Sequence, residues 1–84
     1  MFFVYVIKSS KDARLYVGMT SDVERRLAEH NKGMTTSTQF YRPWELCCVE
    51  EFEDRLSARE REKYLKSGHG KTYLKSLYND KLVP

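Results

Sequence analysis

At 84 residues the chain has room for one domain around one modest core. A hydrophobic share of 40% with 13% aromatics excludes a disordered polymer. No apolar run reaches the ~18 residues of a membrane span, and the opening "MFFVYVIKSS" has no basic leader, so a cytoplasmic protein without a membrane partner is expected. The net charge is only +3, but its distribution is uneven: "EEFED" gathers acids at residues 50–54, and Arg55, Arg59, Arg61, Lys63, Lys66, Lys71 and Lys75 follow. That basic stretch is either a dock for a polyanion or a solvated, salt-bridged helix.

Residues 2–8, "FFVYVIK", are apolar on both alternating faces, with Phe3, Tyr5 and Ile7 on one and Phe2, Val4 and Val6 on the other. Such a strand belongs inside a covered sheet. "SSKDAR" supplies turn residues, and residues 14–18 return as the second strand of a hairpin, Leu15 and Val17 opposite Tyr16, with Gly18 as its end. A first helix is predicted over 22–31, started by a Ser21/Glu24 capping box and stopped by Gly33. "MTTSTQFYR" reads as a polar loop. After Pro43 a third strand is predicted, with Trp44, Leu46 and Cys48 on one side. Cys47 and Cys48 are adjacent, which strains a disulfide, so reduced thiols are expected, and they lack metal-ligand spacing.

A second helix is predicted from about Ser57, with Glu60 completing a capping box, to about Ser67. "GHG" at 68–70 then breaks it, "KTYLKSLY" allows a short third helix, and the tail "NDKLVP" has no assigned structure. The order β-β-α-β-α-α defines a small α/β (α+β) domain spanning residues 1–84. Its sheet is three-stranded and largely antiparallel, flanked by helices.

Several polar residues fall where apolar ones are expected. Tyr5 and Tyr16 sit at the centres of hydrocarbon strands. Arg26 and His30 lie three and seven residues after Val23, beside the stripe that Val23 and Leu27 mark, whereas Arg25 and Glu29 read as ordinary surface. Glu62 lies four after Ala58, within about 40° of the face that Ala58 and Leu65 define. Each has a structural explanation: phenols as core, Arg26 paired with a carboxylate of the sheet or second helix, Glu62 paired with Lys66 one turn on. Together they make a set with one anionic metal ligand, one fixed cation and proton-transfer groups, which suits phosphodiester hydrolysis.

At these residues the sequence resembles the GIY-YIG nuclease family. "VYV" (residues 4–6) stands at the first signature tripeptide, with Val4 and Val6 in place of Gly and Ile, and "YVG" (16–18) matches the second. Arg26, His30 and Glu62 fall at the family's arginine, its His-or-Tyr position and its metal-binding glutamate. Small stand-alone members akin to the family's repair-endonuclease catalytic domain are most similar, through "YVGMTSDVERRLAEHNKG", "YRPWELC" and "SGHGKTYLK". The resemblance implies a Mg²⁺- or Mn²⁺-dependent endonuclease acting on DNA, on branched, nicked or single-stranded substrates in repair or recombination. Tyr5, Tyr16, Arg26, His30 and Glu62 would be catalytic, with Glu62 on the metal. Phosphate contacts are expected from Arg25, Arg42, Lys66 and Lys71 around the cleft, with Thr20, Asn31 and Thr38 as neutral donors. The alternative from another class is a nucleic-acid or protein interaction module that keeps this fold with little turnover.

Overall fold

A computed structural model describes residues 1–78; the tail 79–84, unassigned from sequence, lies outside them. β1 (Phe2–Ser9) is central, with β2 (Leu15–Thr20) on one side and β3 (Trp44–Phe52) on the other, both antiparallel to it. α1 (Val23–Asn31) follows β2; α2 (Arg55–Lys66) and α3 (Gly68–Tyr78) follow β3. A single 3₁₀ turn, Gln39–Tyr41, interrupts the polar loop.

Alternation along β1 divides the interior in two. Val4 and Val6 pack with Val17, Ala58, Leu65 and Leu74 under α2 and α3. On the opposite face Tyr5 and Ile7 pack with Trp44, with Tyr16, Leu27 and Tyr41 against them. The sheet therefore lies between an aliphatic layer and an aromatic one, as the alternation of both hairpin strands predicts.

Four local expectations are corrected. Gly18 does not end β2, which runs on to Thr20; it sits opposite Tyr5 in mid-strand. The helices are capped by Asp22 and Asp54, not by Ser21 and Ser57: each carboxylate accepts the backbone N–H three residues on, from Arg25 and Ser57. A carboxylate offers the helix start both an acceptor and a charge that suits its dipole. "GHG" does not separate two helices at a distance, because α3 begins at Gly68 directly after the Ser67 cap. Gly70 allows this tight joint, since a Cβ there would strike the backbone of Tyr64 and Leu65. Finally, Trp44, Leu46 and Cys48 do not share a side. Val6 pairs with Cys48 but Ile7 pairs with Leu46, so the ladder bulges at Cys47 and the alternation changes phase. Trp44 is thereby buried in the aromatic layer, Cys48 packs on the aliphatic one, and Leu46 is exposed.

Candidate active site

The aromatic layer is built around an imidazole. α1 buries one residue completely, and it is His30. Its Nε2 lies 2.8 Å from Tyr5 Oη, and its Nδ1 lies 2.8 Å from Thr38 Oγ1. The Thr38 hydroxyl has an acceptor of its own in the Thr35 carbonyl at 3.5 Å. Thr38 Oγ1 therefore receives Nδ1–H, and Nε2 is left to accept the Tyr5 proton. The Tyr16 ring stands edge-on to His30 at 5.1 Å between centroids, and Trp44 packs on Tyr16 at 6.3 Å.

Tyr5 and Tyr16 are diagonal neighbours, because Tyr5 pairs with Gly18 and Ile7 with Tyr16; their ring centroids lie 6.5 Å apart. Gly18 makes the Tyr5 position possible. A Cβ at residue 18 would fall on Oη and Cζ of Tyr5, so the phenol lies across the one place on β2 that has no side chain. The third residue of "YVG" thus accommodates the ring on the neighbouring strand.

Electrostatics fix the protonation states. Burial pushes the Tyr5 phenol up to about 12, with Tyr16 and the Glu62 carboxylate adding to it and the Arg26 guanidinium opposing it. Burial also holds His30 below the ordinary imidazole range, and the Arg26 cation lowers it further. At neutral pH the pair is a protonated phenol hydrogen-bonded to a neutral imidazole.

Arg26 is one-third exposed and its Nη1 binds Glu29 Oε1 at 2.9 Å. Its partner is thus on its own helix, not on the sheet or second helix, and Glu29 is no ordinary surface residue. The Glu62 side chain is only 13% exposed, with Lys66 Nζ at 3.1 Å and Arg59 Nε at 3.9 Å from its oxygens. Lys66 also stands 5.8 Å over the Tyr16 ring, which ties the Glu62 turn of α2 to the hairpin. No cluster of three or more His, Cys, Asp or Glu side chains is placed to share a metal among the described residues. A single hard carboxylate, largely withdrawn from water, still fits Mg²⁺, which keeps several waters and takes its remaining ligands from substrate oxygens.

The expected phosphate contacts do not form one ring. Lys66 and Lys71 share a cleft at the outer side of β2. Arg42 lines a different hollow with Lys11 and Phe40, its Nε donating to the Gln39 carbonyl at 2.7 Å. Arg25 is exposed on α1 beside Glu29, at 3.9 Å. Each of the three neutral donors already has partners within the protein, and only Thr38 is buried out of reach. Thr38 is wholly buried, holding His30 and, through its carbonyl, Trp44 Nε1. Asn31 holds the backbone of Trp44, accepting its N–H at 2.6 Å and donating to its carbonyl at 3.1 Å. Thr20 Oγ1 closes the turn into α1 by bonding Asp22 backbone. Thr38 was legible only through the requirement that a buried imidazole have two partners.

A family model for the GIY-YIG catalytic domain matches residues 1–79. A UPF0213 protein of Natronomonas pharaonis is 42% identical over 66 residues, 77% of this chain and 76% of that protein. A UPF0213 protein of Clostridium perfringens is 39% identical over 67 residues, 79% and 71% of the two chains. The solution NMR structure of a UPF0213 protein from Bacillus halodurans is similar with a TM-score of 0.55 at 31% identity, covering 92% of this chain and 85% of that one.

Proposed function

From the premise that the chain belongs to the GIY-YIG catalytic-domain family, a family of nucleases, we propose that it is a Mg²⁺-dependent endonuclease that hydrolyses DNA phosphodiester bonds. The observation that supports this most is the hydrogen-bonded series from Thr38 through His30 to Tyr5, with Arg26 and Glu62 close enough to act on the phenol. Packing alone gives a strand no reason to bury a phenol against an imidazole rather than a hydrocarbon.

The chemistry follows from the protonation states. With its phenol held protonated to about pH 12, Tyr5 is no free phenolate at neutral pH. Its proton points to His30 Nε2, so Oη keeps a lone pair with which to accept a proton once the attacking water reaches it. As the phenol oxygen takes a proton from the attacking water, its own passes to Nε2, and Thr38 Oγ1 keeps accepting from Nδ1–H. The charge develops on the imidazole, and neither a bare phenolate nor a cationic phenol forms. Arg26 supplies a fixed cation for the charge that develops on the phosphate. Glu62 would hold Mg²⁺, which when bound supplies Lewis-acid stabilisation of a phosphoryl oxygen.

The test is strand cleavage of nicked, flapped and branched DNA with and without Mg²⁺, by the parent protein and by Glu62→Gln and Tyr5→Phe. Cleavage that requires Mg²⁺ is expected, with kcat lowered about 10²–10⁴-fold in Tyr5→Phe and DNA affinity nearly intact in both variants. Mg²⁺-independent cleavage, or full turnover in Glu62→Gln, would overturn the assignment.

A further inference from the structure

β2 pairs with β1 alone, so its other side is an edge of the sheet among the described residues. At that edge lies a cleft of about 390 Å³, within the range of small-ligand sites. Its accessible apolar lining is Leu15 and Tyr16 of β2, closed beneath by Val17 of β2 and Leu74 of α3, both nearly buried in the aliphatic layer. Its rim is cationic: Lys66 from the end of α2, Lys71 and Lys75 one turn apart on α3. Among the described residues Lys71 and Lys75 make no ion pair, so their charge faces the cleft opening uncompensated.

An apolar floor under a row of ammonium groups calls for a ligand with a flat, weakly hydrated body and repeating negative charge. A duplex keeps its bases stacked inside and offers only phosphates, so the floor gains nothing from it. An unpaired nucleotide offers both, its base leaving water for the floor while its phosphates meet the lysines. Lys66 links the two places, since it touches Glu62 on one side and lines the cleft on the other.

Resting on the nuclease reading above, we infer that this β2-edge cleft is a subsite for an unpaired nucleotide of the substrate strand. Its base lies against Leu15 and the Tyr16 ring, and its phosphates on Lys66, Lys71 and Lys75. Within the branched, nicked or single-stranded DNA that the resemblance already implies, such a subsite favours a strand unpaired at the cleft over an intact duplex.

Fluorescence anisotropy on the Glu62→Gln protein, which separates binding from turnover, tests the inference with three probes: hexathymidylate, a blunt duplex long enough to stay paired, and hexaglutamate. Hexathymidylate is expected to bind about 10-fold tighter than the duplex. The Lys71→Ala/Lys75→Ala variant should weaken it about 10-fold and lower the slope of log K against log salt by about 1.4, at about 0.7 per lost single-strand contact. Leu15→Gln should weaken hexathymidylate with the salt slope unchanged, and thermal melting of each variant confirms that it is folded. Equal binding of the duplex, equal binding of hexaglutamate, or an unaltered salt slope in the double lysine variant overturns the subsite. Cleavage by the parent protein is scored separately. Cleavage indifferent to a flap, with hexathymidylate binding no tighter than duplex, removes the subsite and leaves the nuclease. Lysine-dependent hexathymidylate binding without cleavage of any DNA removes the nuclease and leaves the subsite.

Discussion

Tyr5 is constrained by a different neighbour at each part of the ring: His30 holds its oxygen, Tyr16 leans on its face, and Gly18 leaves the space it occupies. Gly18→Ala is therefore expected to destabilise the protein by ~1–3 kcal/mol through overpacking and to displace the phenol. A double-mutant cycle with Tyr5→Ala checks it: the double variant should cost less than the sum of the two single changes, because Tyr5→Ala removes the clash. The Thr35 hydroxyl gives a prediction of the opposite sign. It is buried without a hydrogen-bond partner, so Thr35→Val should raise stability by ~1 kcal/mol, read as a higher melting temperature. At this scale the sequence showed that Tyr5, Tyr16, Arg26, His30 and Glu62 were out of place among apolar neighbours. It could not show which atoms meet. The partner of Arg26 depended on rotamers within its own helix, and Thr38 lies in a loop where no periodicity reports burial.

The helices and strands were legible where one pattern dominated. β1, with four consecutive buried residues from Val4 to Ile7, and α2, with Ala58 and Leu65 seven apart, follow directly from apolar spacing. Their ends were not, because two residues competed for each cap. Ser21 and Ser57 complete a familiar motif, yet Asp22 and Asp54 lie one and three positions away, and the carboxylate is chosen both times. Asp54→Ala should accordingly cost ~1 kcal/mol and Ser57→Ala less, measured by denaturant unfolding. Asp54 loses more because it caps with one oxygen and binds the Ser57 hydroxyl with the other, at 3.1 Å. The bulge at Cys47 was hidden for another reason. Period-two alternation reads a strand as unbroken, and a single inserted residue reverses every side chain beyond it. Only the pairing with β1 shows that Trp44 and Cys48 belong to different layers.

For the molecule as a whole, stability and chemistry share His30. Its pKa is lower in the folded protein than in an open chain, where an imidazole titrates near 6.5. Above that value both states hold it neutral and its burial costs nothing in protons. As pH falls below about 6.5 the unfolded chain takes up the proton first, so stability declines until the folded-state pKa is passed. The melting temperature should thus drop from pH 7 toward pH 5, and His30→Gln should flatten that part of the profile. The two sides of the sheet are also unequal in what secures them. α2 rests on Ala58 and Leu65 and shares its layer with Leu74 of α3, whereas α1 buries only an imidazole and leans partly on Leu27. The consequence is a graded opening. α1 should detach in sub-global fluctuations well below the free energy of complete unfolding, so its amides exchange with deuterium sooner than those of β1. Once the slowing of intrinsic exchange in acid is divided out, lower pH should favour that release, since His30 is protonated more readily in the detached helix than in the folded protein.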